Sequence, residues 1–516
     1  MRTAGRLALG LCLSLVWPAL AAAWNPKPAV PGFPLNLGRQ PVEYSSVLPL
    51  KAGQWTYLLV GDKSGSLWRV ALRGPGQRPL VRSASFSGPI SSSPSAAPAL
   101  RDSGVPEARA GTFFLGDGAD IRNWNPGSAL KVDLFGLTPL WRQWGRDISD
   151  GVERWTGAQD LQPQGNGVAD GVFDSLVIAD LDNDGNFEVV FGGWDHHIYA
   201  RRAGDGALYG SGWPIDTLDS VWSTPAVGDV DGDGFKEIFI GSDLSRSDEH
   251  AWSFNGGRMW GLDRRGDTLP GWPRRSDQTF YSSPAVGDIN NDGRYEIVCG
   301  TGTCWHTDGR GAEATGPFNG RHVFGWRLDG AALPGWPVDL GGAVFSSPAL
   351  ADLDGDRRLE TIVGATDGRV YCLNADGSIR WRTLLVDRDG RSYETLRDRR
   401  GWVLGSPVVA DIDGDGDLEI LVCWSFEVVI LDHRGRLLTG ANSAERTVYL
   451  TFQSLFSSPS VADINGDNLL EIVVAGGRRD GGGALYAWPT TAPATSARPW
   501  WTFHRDEART GFVPRD

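Results

Sequence analysis

From Asp229 to Glu237 the chain reads DVDGDGFKE, with four carboxylates in nine residues. Like charges at this density repel, and a shared cation is the simplest thing that holds them together. In a tight loop the side chains of positions 1, 3 and 5 (Asp229, Asp231, Asp233) point to one centre. Gly234 at position 6 permits the sharp turn, position 7 offers a backbone carbonyl, and Glu237 at position 9 closes the shell. A flexible, all-oxygen set of this kind suits Ca²⁺, which takes about six to eight ligands; Mg²⁺ demands a stricter octahedron.

The motif, D-x-[DN]-x-D-G-x-x-E in outline, occurs six times. The candidate metal ligands are Asp180, Asp182, Asp184 and Glu188; Asp229, Asp231, Asp233 and Glu237; Asp288, Asn290, Asp292 and Glu296; Asp352, Asp354, Asp356 and Glu360; Asp411, Asp413, Asp415 and Glu419; and Asp463, Asn465, Asp467 and Glu471. An EF-hand needs Glu at position 12 and flanking helices. Here position 12 is Phe191 in the first loop and Ile240 in the second, each inside a β-type run. A plain Asp/Gly turn would explain one such loop, but six in register argue for metal. Up to six structural Ca²⁺ would offset most of the acidity of the chain, whose net charge is −14. That acidity makes nucleic acid an unlikely partner, since phosphate binding wants clustered Lys and Arg.

Other chemistry is sparse. There is no GxSxG, HExxH, P-loop or paired-Cys metal motif. Cys299, Cys304, Cys372 and Cys423 are too few for a disulfide-dense scaffold, and a local Cys299–Cys304 bridge and buried free thiols both remain open. Residues 1–23 read as a secretory signal: Arg2 and Arg6, an apolar run from Leu7 to Val16, then small residues up to Ala23. The apolar run is shorter than the roughly 20 residues a span needs. The expectation is a secreted, periplasmic or cell-surface protein with no membrane span after signal cleavage.

The elements that position the loops also repeat. Successive loop Asp residues are 49 to 64 residues apart, a blade-sized interval. Each unit runs from a small-residue strand ("STPAVGD") through the acidic loop to an apolar strand ("EIFIG") and a third segment ("RMWGLDRRG"). A "WP" pair often ends it: Trp213-Pro214, Trp272-Pro273 and Trp336-Pro337. Four short strands per unit define a β-propeller blade. Small residues fit where inner strands converge, and Pro fits an outer edge, where a missing N–H does no harm. The fold class is therefore all-β, a single propeller of four-stranded antiparallel blades. Two weaker units, about 43–130, precede the six loop units of about 171–490 and bring the count to eight, with seven as the second choice. Residues 131–170 match no blade and read as an inter-blade excursion. The closing tail, 491–516, is expected to supply an outer strand through its 499–512 stretch, against the N-terminal segment.

These loops and strands resemble FG-GAP/VCBS repeats, as in integrin α-subunit propellers and many secreted bacterial proteins. The resemblance is good over about 170–485 and weak at the flanks. It implies Ca²⁺ held between the first and second strands of each blade. Integrin-type repeats commonly carry Asp at position 9, where this chain has Glu. Arg357 and Asn468 replace the turn Gly, which puts the Arg357 loop most in question, because Asn tolerates left-handed backbone better.

If the loops occupy one face, the residue that begins each inner strand lies near the other. Seven residues before the loop Asp stand Phe173, Trp222, Tyr281, Phe345, Leu404 and Phe456, with Tyr44 and Ser91 in the weak units. A ring of aromatic side chains suits a sugar or peptide ligand; packing between blades is the plainer reading. His196 and His197 fall in a turn expected on the same face, exposed to solvent. The resulting expectation is a binding or adhesion module for an extracellular protein or glycan. A polysaccharide-active lyase or hydrolase is the alternative, since rhamnogalacturonan-lyase-type calcium propellers host such chemistry. No catalytic residues stand out, and the oligomeric state is open.

Overall fold

Each apolar run after an acidic loop is a strand sealed on both faces, which is why it lacks polar alternation. Glu237–Asp243 is the clearest case, buried at every position. The computed structural model describes residues 25–26, 28–40, 42, 44–97, 111–118, 127–146, 171–243, 256–302, 320–386, 401–439, 447–450, 457–478 and 480–515. Eight antiparallel blades form a propeller ring. Blade 4 shows the plan, inner to outer: Ala226–Gly228, Glu237–Asp243, Gly257–Leu262 and Arg274–Ser276. Gly228 pairs with Glu237, so the acidic loop is the connection of the innermost hairpin. Blade 1 spans 48–85, blade 3 177–216, blade 5 285–339, blade 6 349–384, blade 7 408–450 and blade 8 460–493.

Blade 2 is built from Thr112–Asp117, Ser128–Asp133 and Pro139–Trp144, with an inner bridge from Ser95 to Phe114. Residues 131–146 therefore belong to this blade rather than to an excursion. Their alternation of Lys and Arg with apolar residues is that of a half-exposed outer hairpin, which differs from the buried strands used to define the repeat. Trp155 and the rest of 147–170 lie outside the described residues, as do the signal segment 1–23, Cys304 and Phe456.

The ring closes through the N-terminal segment. Leu35–Asn36 pairs antiparallel with Gly483–Pro493 as the outer strand of blade 8. It follows a cis Phe33–Pro34 bond, as the outer strands of blades 3, 4 and 5 follow cis Trp–Pro bonds. Asn25–Pro26 adds a parallel strand to the edge of blade 7.

Three recurring contacts join the blades. The first is a closed belt. Backbone N–H groups of Ser46, Ser93, Ser175, Thr224, Ser283, Ser347, Ser406 and Ser458 each donate to the hydroxyl of the next member, and Ser458 N–H returns to Ser46 Oγ, all at 2.9–3.0 Å. Eight links close the circle, which makes the blade number eight. The second is apolar. Gly61, Gly116, Gly192, Gly241, Gly300 and Gly364 leave room for Ile90, Val172, Val221, Phe280, Val344 and Val403 of the next blade; a Cβ at Gly192 would lie 2.1 Å from Val221. The third is outer. The indole N–H of Trp213, Trp272, Trp336 and Trp381 donates to Arg264, Leu328, Ala375 and His433 carbonyls of the following blade.

The 497–513 segment does not form an outer strand. It winds around the inside of the channel, accepting hydrogen bonds from inner strands of blades 7, 8, 2, 3, 4 and 5 in turn: Val409, Val461, Ala96, Ile178, Val227 and Val286 N–H to the carbonyls of Trp500, Trp501, Glu507, Ala508, Thr510 and Gly511. Inner strands facing an axis leave their edges unpaired, and this segment satisfies them. Trp500, Thr502, His504, Ala508 and Arg509 are fully buried there. Arg509 donates to the carbonyls of Pro94 and Phe503 and to Thr502 Oγ1. Burial pushes its pKa down to about 10. His504 bridges the Pro284 and Arg509 carbonyls.

Candidate functional site

The acidic loops are organised by their own backbone. In blade 4, Asp229 accepts N–H bonds from Gly232 and Gly234, Asp231 from Asp233, Asp233 from Phe235, and Glu237 Oε2 from Val230. The bond from position 2 to the Glu recurs at Glu188, Glu296, Glu360, Glu419 and Glu471, at 2.9–3.0 Å. Two positions take left-handed backbone. Position 6 carries Gly185, Gly234, Gly293, Arg357, Gly416 and Asn468; position 4 carries Asn183, Gly232, Asn291, Gly355, Gly414 and Gly466. Arg357, at φ 69°, keeps the turn, and its N–H bonds Asp352 Oδ2 as Gly185 N–H bonds Asp180 Oδ2. The Gly or Asn at position 4 was visible in every loop of the sequence.

Donor oxygens converge in four loops. Asp180, Asp182 and Glu188 bring one oxygen each within 4.8 Å of one another; so do Asp229, Asp231 and Glu237; Asp352, Asp354 and Asp356; and Asp411, Asp413 and Glu419. In the other two, position 3 is an amide: Asn290 Nδ2 donates to Glu296 Oε1 and Asn465 Nδ2 to Glu471 Oε1. The position-9 glutamates are buried. Burial, reinforced by the neighbouring Asp charges, pushes Glu188, Glu237 and Glu296 up to about 7 and Glu419 up to about 8. Glu471 likewise reaches about 8. Asp182 Oδ1 and Asn290 Oδ1 are buried without a hydrogen-bond partner. Orphaned oxygens beside raised carboxyls fit a divalent cation, which would satisfy the first and ionise the second. These clusters can hold metal.

At the opposite end of the inner strands the predicted aromatic residues do meet. Tyr44 and Phe173 lie 5.4 Å apart by ring centroid, Phe173 and Trp222 5.3 Å, Trp222 and Tyr281 5.2 Å, and Tyr281 and Phe345 5.7 Å. Small Ser91 in blade 2 lets Tyr44 reach across to Phe173. Two further rings join: Trp194 against Phe173 and Trp222, and Trp402 stacked on Phe345. Trp402 stands two residues before Leu404, and that offset hid it from the repeat alignment. Except for Trp194, every ring of this arc is partly exposed, Tyr44 most at 39%. The rings touch across blades, and the fully buried packing between blades is made by the preceding residue: Val172, Val221, Phe280 and Val344 are buried against the glycines described above.

The histidine pair departs from expectation. His197 begins the third strand of blade 3 and is buried; Arg146 donates to its Nε2 at 3.0 Å, which leaves Nδ1–H to donate to the Asp195 carbonyl. Tertiary contact with blade 2 buries a turn that would be exposed in an isolated blade. His196 is half-buried and takes the left-handed turn position, at φ 64°. Under Phe173, Asp174 replaces the serine found at this place in six of the seven other blades, Ser45, Ser92, Ser223, Ser282, Ser346 and Ser457; blade 7 has Gly405 there. It accepts Gly192 N–H as Ser45, Ser92, Ser223, Ser282 and Ser346 accept theirs, and burial pushes its carboxyl well above the usual range. Cys299, Cys372 and Cys423 are buried free thiols. No ring of the arc lines the water-sized cavity of about 10 Å³ beside Trp144 and Asp195 or the groove of about 360 Å³ beside Leu35 and Tyr486.

Fold and loops together define an eight-bladed β-propeller with acidic inner hairpins. The chain carries FG-GAP-like repeats, matched over residues 180–240 and 352–422. No curated protein matches it in sequence. Among solved structures it is similar to BamB from Moraxella catarrhalis, at 14% identity over 88% of this chain and 100% of that one, with TM-score 0.49. It is also similar to the V. cholerae biofilm matrix protein Bap1, at 14% identity over 95% of each chain and TM-score 0.39. A third is the Bacillus licheniformis rhamnogalacturonan lyase PL11, at 14% identity over 91% of this chain and 93% of that one, with TM-score 0.42. Likeness at this level carries no functional assignment. Among the described residues no helix is long and apolar enough to cross a membrane.

Proposed function

We propose that this chain is an exported, calcium-stabilised binding module. The acidic loops are its scaffold and the aromatic arc is its ligand face. The observation that carries this reading is the partial exposure of Tyr44, Phe173, Trp222, Tyr281 and Phe345 while the residues before most of them make the fully buried packing between blades. Half-exposed rings offer flat apolar faces to sugars or to peptide side chains at low entropic cost. An extracellular glycan or protein is the matching class of partner. Calcium suits the loops because every donor is oxygen and the loops hang on flexible backbone. Export follows from the signal-like residues 1–23 and places the protein in the periplasm, at the cell surface or outside the cell.

A glycan array in calcium buffer, followed by a turnover assay on each hit, tests this. Binding without product supports the module; product formation supports a lyase or hydrolase on the same face. Trp222→Ala and Tyr281→Ala should each lower affinity at least about tenfold, the loss of one stacked ring. Unchanged affinity in folded variants would remove the arc from the proposal.

A further inference from the structure

One place in the blade decides what reaches the acidic loop from the outer hairpin. Three residues beyond the left-handed turn glycines Gly206, Gly266, Gly330, Gly377 and Gly435 stand Tyr209, Leu269, Leu333, Arg380 and Leu438. Three of these are Leu. In blade 3 the Tyr209 hydroxyl donates to Asp182 Oδ2 at 2.9 Å, the carboxylate at loop position 3. In blade 6 Arg380 reaches the same part of its own loop. Nη2 lies 2.5 Å from Asp354 Oδ2 and Nη1 lies 3.1 Å from Glu360 Oε1.

This guanidinium joins loop positions 3 and 9. In blades 3, 4 and 7 those two positions converge with position 1. In blade 6 the converging set is Asp352, Asp354 and Asp356, and Glu360 is not part of it. Both Glu360 oxygens are engaged, Oε2 by Leu353 N–H and Oε1 by Arg380. Asp354 has one oxygen on Arg380 and the other on Asp356 N–H. The pair is well enclosed, with Glu360 at 3% and Arg380 at 28% side-chain exposure. Arg is permanently charged, and its planar fork can bridge two carboxylates in a way that Leu and Tyr cannot.

We propose that Arg380 is the resident cation of the blade-6 loop. That loop is metal-independent, and calcium occupies at most the other five. The count rests on the calcium reading of those five loops, whereas the role of Arg380 does not. The same substitution relieves the demand on the turn: Arg357 stands where four of the other loops have Gly, in the loop that needs no ion to hold it.

The test uses the full chain, calcium alone as the probe, and two measurements. Bound calcium is counted per chain for the wild type, Asp231→Asn and Asp354→Asn. Asp231→Asn, in the converging set of blade 4, should lower the count by one, and Asp354→Asn should leave it unchanged. Loss of one ion in Asp354→Asn overturns the proposal. The second measurement is the unfolding midpoint of Arg380→Met in excess EGTA. A midpoint below wild type supports an internal cation, because Asp354 and Glu360 are left facing each other; an equal midpoint overturns it. If the wild type binds no calcium, the reading of the other loops fails, and the EGTA midpoint still decides the role of Arg380.

Discussion

Removal of calcium should make the protein less stable as pH rises. Without a cation, Glu188, Glu237 and Glu296 sit at about 7 and Glu419 and Glu471 at about 8, against 4.5 for a free glutamate. Between those limits the folded chain holds more protons than the unfolded chain, so stability falls with pH. The contribution is complete below the unfolded value and is lost as pH climbs through 7 and 8. At full weight such a shift is worth ~3 kcal/mol per group. Solvent at the loop rim screens it, and about 1 kcal/mol per loop is the figure to test. Five loops then give ~5 kcal/mol, on the order of 10 °C in Tm. Burial also raises Glu360 to about 7 against the opposing charge of Arg380; it is left out because Arg380 stays beside it with or without calcium, so it adds nothing to the gap. With calcium bound the glutamates stay ionised, so the loaded Tm stays nearly level and the gap to EGTA widens with pH. Thermal unfolding with and without EGTA, from about pH 5.5 to about 8.5, reads this gap. A gap that is constant or narrows with rising pH refutes the reasoning, as does an unfolding curve indifferent to EGTA.

Three other outcomes follow from the ring itself. Ser283→Ala leaves the buried Thr224 N–H without its acceptor and should cost about 1–3 kcal/mol in urea unfolding, while Ser283→Thr should be near neutral because Thr224 already fills the equivalent place. Asp174→Ser should raise stability by about 1–2 kcal/mol, since it removes a buried carboxyl with an orphaned Oδ1 and restores the hydroxyl of the other blades. That gain should grow with pH, because ionisation of the buried acid weighs only on the folded state; a gain that shrinks with pH would contradict this. Arg509→Met removes the donors to Pro94, Phe503 and Thr502 and should destabilise by about 3 kcal/mol or more; a loss under about 1 kcal/mol would mean the channel segment is held by its backbone bonds alone.

Much of the blade was legible because it is local. The Glu at position 9, the turn residue at position 6 and the sealed strand after them fall within about a dozen residues, and their geometry follows from nearest-neighbour sterics and burial. The Ser or Thr five residues before each loop Asp was equally visible, and only the ring shows what it does, since a belt bond needs the next blade. "PGFPLN" at 31–36 carries the same signal as "PGWPVD" at 334–339 and names the outer strand of blade 8. It was missed because its strand partner lies some 450 residues away.

The sequence by itself determined the blade, its acidic hairpin and the presence of an aromatic residue at the start of most inner strands. Each depends on contacts between residues close in the chain, repeated with little change. Tertiary structure alone decided the rest. It set the 497–513 segment inside the channel, because only a closed ring offers inner edges that lack partners. It buried His197 against Arg146 of the neighbouring blade, brought Trp402 into the aromatic arc, and carried Arg380 to the blade-6 loop from a strand 20 residues beyond Glu360. Those outcomes depend on which surfaces meet across blades or between the strands of one blade, and no local pattern encodes that.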